Sequence, residues 1–141
     1  MNFKLNAFIT MNNFKSLVLL SALAFSLSIV ASPLSLTFTP KGEVDRTAGF
    51  NAALEKLKAA GGGEIRFAKG DYYFASPTVI DERVSNHDTP KTRNVFMLLR
   101  EVKNVKLRSK GARIICDGEG IALGLIDANK VTIEGIVFDY K

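Results

Sequence analysis

The order of apolar and polar residues along the chain predicts one short helix among many short strands. Between Leu34 and Phe38 apolar residues alternate with polar ones, which is the period of a strand with one buried face. Later segments with strand-like alternation or short apolar runs are 64–67, 71–74, 78–80, 95–99, 104–107, 112–116, 121–126, 130–133 and 136–138. Residues 81–94 are rich in charge and contain Pro90, so they are predicted to form a loop.

A different period appears in residues 47–60, where the apolar side chains recur at helical spacing. They share one face: Phe50, Ala53, Leu54 and Leu57. Asp45 or Thr47 can accept hydrogen bonds from the free N–H groups at the start of this helix. The three glycines at 61–63 end it, because glycine adopts the left-handed conformation easily. A helix only about 20 Å long must pack on the strands that follow it.

A repeat relates the last strands to one another. Residues 103–107 match residues 129–133, and each copy is followed by a glycine and another short apolar strand. We call this match the coil repeat. Short strands at a fixed period indicate a solenoid, and their spacing is too short for crossover helices. The sequence therefore predicts an all-β fold, a parallel β-helix whose first coil is capped by helix 47–60.

The end of the sequence gives a further expectation. Residues 136–141 continue the strand pattern, and no capping segment precedes Lys141. We therefore expect a β-helix that is incomplete at its C-terminus and open to oligomerisation there.

Residues 1–31 have the pattern of a cleavable export signal. They contain two lysines and no acid, and the run Leu17–Val30 carries no charge over 14 residues. A membrane-spanning helix needs about 20 residues, so the pattern favours a signal peptide over an anchor. Cleavage after Ala31 would leave residues 32–141 as the β-helix domain of an exported protein. Met11 is an alternative start for the same signal.

Charge and cysteine content exclude several other functions. Loss of residues 1–31 lowers Lys+Arg from 19 to 17 against 14 acids, so the mature net charge is +3. That mild and interspersed charge does not indicate a nucleic-acid partner. Cys116, the single cysteine, lies in an apolar strand-like run and is predicted to be a buried small hydrophobe. Without a cluster of cysteine and histidine, the sequence predicts no metal site and no cofactor.

Residues 45–74 resemble the entry segment of the pectate-lyase-like β-helix superfamily. The shared features are an acid and a threonine before a helix, a glycine run after it, and a strand leading to a Lys-Gly turn before tyrosine. This resemblance implies a right-handed parallel β-helix. It says little about activity, because lyases, glycosidases, epimerases and phage tailspikes share this opening.

Roughly residues 45–141 resemble the exo-acting alpha-1,3-galactosidases of glycoside hydrolase family 110, most clearly in the stretch 84–139. The resemblance is carried by Ser-Asn-His-Asp at 85–88, the strand region 95–107, Gly-Ala-Arg-Ile-Ile at 111–115 and the final stretch 131–139. It implies removal of terminal alpha-1,3-linked galactose from a carbohydrate with inversion and without a metal. It also implies a much longer protein whose catalytic acids lie in later coils. The catalytic residues are therefore expected downstream of Lys141.

Three residues are candidates for substrate binding. His87 and Asp88 are neighbours in the predicted loop, and imidazole and carboxylate groups both hydrogen-bond to sugar hydroxyls. The same pair could instead fix a turn against the first coil. Asp139 ends an apolar strand and could project from a face of the solenoid or lie on a solvated turn. Tyr72 and Tyr73 could stack on sugars, but strand alternation is expected to bury one of them in the core.

Two other functions fit the same fold. One is a different carbohydrate enzyme, such as a polysaccharide lyase or polygalacturonase. The other is a surface or tail-fibre solenoid that binds glycans without catalysis, which would lack the paired acids of a hydrolase.

Overall fold

The structure is a computed structural model that describes residues 32–81 and 92–141. The predicted signal peptide and most of the predicted loop at 81–94 lie outside these ranges. Pro33–Lys141 form one compact unit. Within the described ranges the secondary structure consists mostly of strands with one helix, which confirms the predicted all-β class.

Most strands are short, and β6 and β8 are longer because each joins two predicted strands. The bounds are β1 Leu34–Phe38, β2 Gly63–Phe67, β3 Gly70–Phe74, β4 Thr78–Ile80, β5 Arg93–Arg100, β6 Lys103–Cys116, β7 Ile121–Ile126 and β8 Asn129–Tyr140. The helix α1 spans Thr47–Ala59. The glycines that follow the two copies of the coil repeat, Gly111 and Gly135, do not end a strand. Their positive φ bends β6 and β8 while pairing continues on either side.

Helix α1 lies where the apolar spacing predicts it. Phe50, Leu54 and Leu57 are buried on the predicted apolar face, together with Thr47. After Ala60, the N–H of Gly61 donates to the carbonyl of Lys58, and the N–H of Gly62 donates to that of Leu57. This pattern is a Schellman motif, and the φ of +75° at Gly61 explains why the helix ends in glycine.

Most strand pairs are parallel. In one sheet β1 pairs with β2, both β2 and β3 pair with successive halves of β6, and β8 pairs with the opposite edge of β6. In the other sheet β5 pairs with β7 in parallel, but β4 pairs with β5 in antiparallel orientation. The antiparallel pair departs from the purely parallel prediction.

The coil repeat places equivalent residues side by side. Val105 is the partner of Val131 in one sheet, and Leu99 is the partner of Leu125 in the other. The backbone repeats as well, because the positive φ values at Glu101 and Asn104 recur at the equivalent positions, Asp127 and Lys130. The repeat in the sequence therefore corresponds to stacked strands joined by turns of the same conformation.

The core between the sheets is aromatic near α1. The ring of Phe38 contacts those of Phe50, Phe67 and Tyr72, with centroid distances of 5.4–6.5 Å. Tyr72 is fully buried and Tyr73 is half-buried, which confirms that alternation buries one of the two. Cys116 is buried as predicted, and burial raises the pKa of its thiol to about 11.

Candidate functional site

Asp139, the described member of the three candidates, lies on the outer face of β8 and is exposed. Its Oδ1 accepts a hydrogen bond of 2.9 Å from the backbone N–H of Tyr140. Its Oδ2 lies 3.6 Å from Nη1 of Arg113 on the neighbouring strand β6. The residue therefore belongs to a strand face, and one of its two oxygens is held by a cation.

Arg113 also binds a second carboxylate, that of Asp71 on β3. Its Nε donates to Oδ1 of Asp71 at 3.1 Å, and its Nη2 donates to Oδ2 at 2.6 Å. This bidentate pair fixes the plane of the guanidinium group. The hydrogen bond from Arg113 holds the pKa of Asp71 below its usual value. Three adjacent strands thus carry the acid–arginine–acid row of Asp71, Arg113 and Asp139, hereafter the Arg113 row.

An aromatic ring and a second cation flank the Arg113 row. Ile115 on β6 has Tyr73 on β3 as its register partner on one side and Asp139 on β8 on the other. The Nζ of Lys141 lies 5.8 Å from the centre of the Tyr73 ring and 3.9 Å from Oδ2 of Asp117. Carboxylate, guanidinium and a half-exposed phenol ring on one face are groups that can hydrogen-bond to sugar hydroxyls and contact the apolar side of a sugar.

His87 and Asp88 lie outside the described residues, so their proposed contacts with substrate stay predictions. Sequence reasoning found Asp139 but missed Asp71 and Arg113. One sequence feature could have pointed to these two residues: Asp71 directly follows Gly70, and Arg113 lies two residues after Gly111. Asp71 and Arg113 are not related by the coil repeat, however, so their pairing could not be inferred from it.

The described residues contain neither a metal cluster nor a membrane span. No set of three or more His, Cys, Asp or Glu side chains among them is arranged to hold a metal ion. Within residues 32–81 and 92–141, no helix has both the length and the apolar character needed to cross a membrane.

The fold and the Arg113 row define a class: an all-β protein of mainly parallel strands with a polar outer face. No family model matches the chain. Curated relatives do match it. The chain is 27% identical over 99 residues to alpha-1,3-galactosidase B of Akkermansia muciniphila, and 28% identical over 95 residues to alpha-1,3-galactosidase B of Bacteroides fragilis.

These matches confirm the resemblance to alpha-1,3-galactosidases inferred from the sequence. They cover 69% and 63% of this chain, but only 12% and 16% of the two relatives. The chain thus spans less than one fifth of the length of the curated relatives that it matches.

Proposed function

We propose that this chain is part of an exported carbohydrate enzyme of the glycoside hydrolase type, whose whole protein is an inverting exo-alpha-1,3-galactosidase. The observation that carries the proposal is the similarity to alpha-1,3-galactosidase B in two organisms over about two thirds of the chain. The Arg113 row supports a carbohydrate ligand, because it presents both hydrogen-bond donors and acceptors on one exposed face.

The proposed architecture is a right-handed parallel β-helix. In its support, Val105 and Val131 pair in one sheet while Leu99 and Leu125 pair in the other, so one step of the coil repeat advances both sheets by one strand. Helix α1 packs against β1, β2 and β5, where it covers the aromatic end of the core. A cap of this kind protects the first coil of a solenoid from solvent.

The proposed mechanism is direct displacement of the leaving sugar at the anomeric carbon by water. Inversion needs a general acid and a general base with their carboxyl groups about 6.5–9.5 Å apart. A general acid must hold its proton near neutral pH, but the hydrogen bond from Arg113 lowers the pKa of Asp71. Asp71 is therefore unsuited to that role. We assign the Arg113 row to substrate binding and the catalytic acids to residues outside this chain.

The test uses two purified proteins. One is this chain, and the other is the larger protein expressed from the gene region that contains its coding sequence. Each is incubated with an oligosaccharide that ends in alpha-1,3-linked galactose, and proton NMR follows the anomer released. The proposal expects β-galactose first from the larger product and no turnover by the chain alone. Initial release of α-galactose would exclude inversion. In a parallel incubation with pectin, release of unsaturated uronides would indicate a lyase instead.

Export is proposed from the sequence of residues 1–31. Expression with the native N-terminus in a bacterial host, followed by mass spectrometry of the exported protein, should give a mature chain that begins at Ser32. A chain that stays membrane-bound with residues 1–31 attached would show that the segment acts as an anchor.

A further inference from the structure

A second polar region lies at the bend of β6, away from the Arg113 row. Between Arg108 and Ala112, which pair with Glu134 and Ile136, strand β6 has three residues where β8 has only Gly135. The bend of β6 is therefore longer than the bend stacked next to it. A cleft of about 510 Å³ lies here, and its charged lining consists of Glu64, Arg66, Lys69, Arg108, Lys110 and Glu134. We call it the β6-bend cleft.

Glu64 fixes the positions of the arginines in the β6-bend cleft. Its Oε2 accepts a hydrogen bond of 2.7 Å from Nε of Arg66, and its Oε1 lies 3.8 Å from Nε of Arg108. The Glu64 side chain is only 13% exposed, and the two nearby guanidinium groups offset the charge of this partly shielded carboxylate. Arg66 remains 64% exposed, which leaves its outer nitrogens accessible to a ligand.

Arg108 is held from its other side as well. Its Nε lies 2.9 Å from Oε2 of Glu134 on β8, so two carboxylates lie within 4 Å of one nitrogen. The guanidinium group is therefore oriented before any ligand arrives, which lowers the entropic cost of binding.

The two lysines of the cleft supply charge that no acid in the described part of the chain balances. Within the described residues neither Lys69 nor Lys110 has a carboxylate in ion-pair range. The stem of Lys69 lies along the bend, because a Cβ added at Gly111 would be 3.4 Å from its Cγ. With four cations against two carboxylates, the cleft carries an excess of positive charge.

We propose that the β6-bend cleft binds an anionic group of a saccharide, either a carboxylate or a sulfate. Oriented guanidinium groups bind planar carboxylates and sulfate-like oxyanions well. The two glutamates would repel a polyphosphate chain, whereas sugar hydroxyls can donate hydrogen bonds to them. The choice of a saccharide depends on the proposed function, while the choice of an anion depends on the cleft residues alone.

The test measures binding to the full chain by titration calorimetry. The probes are galactose 6-sulfate, digalacturonate, neutral galactose and inorganic sulfate. The double variant Lys69→Ala/Lys110→Ala removes the unbalanced charge, and Lys56→Ala/Lys103→Ala removes the same charge from exposed positions elsewhere. We expect the cleft variant to bind the acidic saccharides at least about tenfold more weakly and the control variant to stay within about twofold of the native chain.

Equal weakening in both variants would show a general electrostatic effect and overturn the proposal. Equal affinity for neutral galactose would also overturn it. If inorganic sulfate binds as tightly as galactose 6-sulfate, the saccharide part is wrong. Preference for digalacturonate or for galactose 6-sulfate identifies the anion as a carboxylate or a sulfate. Galactose release by the larger gene product is assayed separately. Absence of galactose release would refute the proposed hydrolase, whereas the binding results above refute only the anion site.

Discussion

At the scale of single residues, Asp45 connects the start of α1 to the end of β3. Its Oδ1 accepts hydrogen bonds from the N–H and the hydroxyl of Thr47, at 2.9 and 2.6 Å, and from the N–H of Ala75 at 3.2 Å. The sequence indicated that Asp45 or Thr47 would cap the helix. In the structure only Asp45 accepts such an N–H, that of Thr47, while the hydroxyl of Thr47 donates to Asp45. The N-cap residue itself is Arg46, whose side chain makes no capping hydrogen bond. The additional bond to Ala75 could not be read from helical spacing.

The Asp45 contacts predict a pH dependence of stability. Burial raises the pKa of Asp45, but the hydrogen bonds from Thr47, Ser76 and Ala75 outweigh it and lower the pKa from 3.8 to about 2. The stabilisation is therefore complete above pH 3.8 and is lost as the pH falls towards 2. We expect Asp45→Asn to lower the free energy of unfolding by about 1 kcal/mol at pH 7 and by much less near pH 2.

Urea unfolding followed by tyrosine fluorescence at several pH values measures this effect. Glu119→Gln, at an exposed position, is the control and should change little at any pH. An equal loss for Asp45→Asn at pH 2 and pH 7 would mean that its carboxylate charge contributes nothing.

Tyr72 and Tyr73 form a natural matched pair. The hydroxyl of Tyr72 lies 2.7 Å from the carbonyl oxygen of Phe38 and 2.9 Å from that of Ala68. Tyr72→Phe removes this donor, although the carbonyl of Phe38 keeps its hydrogen bond from the N–H of Ala68, so we expect a loss of about 1 kcal/mol in unfolding free energy. Tyr73→Phe should cost less than about 0.5 kcal/mol, because its ring lies on the outer face. Similar losses in thermal or urea unfolding for both would contradict the assigned hydrogen bonds.

At the scale of elements, the turn from α1 into β2 depends on close backbone approach. A Cβ at Gly63 would lie 2.2 Å from the carbonyl oxygen of Leu34 and 2.8 Å from Cδ2 of Leu57, with φ at +147°. Gly63→Ala must therefore push β1 or α1 away, and we expect it to cost about 2–4 kcal/mol. Gly61→Ala meets no atom within 4 Å and should cost only about 1–2 kcal/mol, from its φ of +75°. Equal costs in urea unfolding would contradict this packing.

Element type was predictable where the periodicity was strong. Helix α1 and the pairing of β6 with β8 followed from apolar spacing and from the coil repeat. The antiparallel pairing of β4 did not, because so short a strand carries no signal of its direction. The Arg113 row was missed for a related reason. The pairing of β3 with β6 occurs only once, so it produces no repeat in the sequence.

At the scale of the whole molecule, β7 and β8 end the two sheets within the described part of the chain. Leu125 on β7 is 53% exposed although its partner Leu99 is fully buried. Exposed apolar groups on unpaired strands favour association, so we expect self-association that increases with protein concentration. Leu125→Lys should weaken it in sedimentation measurements. Val79→Lys, on the opposite edge at β4, should leave it unchanged, and equal effects would place the contact elsewhere.

The proposed β-helix depends most directly on the stacking of strands related by the coil repeat. Lys106 and Thr132 are direct partners on the outer faces of β6 and β8. Paired parallel strands are about 4.8 Å apart, which suits a disulfide. Cys116 is buried with its pKa raised to about 11, so it should not take part in the exchange.

The measurement is mild oxidation of the double variant Lys106→Cys/Thr132→Cys, followed by mass spectrometry. If β6 and β8 stack in this register, an intramolecular disulfide should form rapidly and completely. The variant Lys106→Cys/Glu134→Cys, displaced along β8 to a separation of about 8 Å, should stay reduced. Failure of the first pair to close, or equal closure of both, would contradict the stacked register.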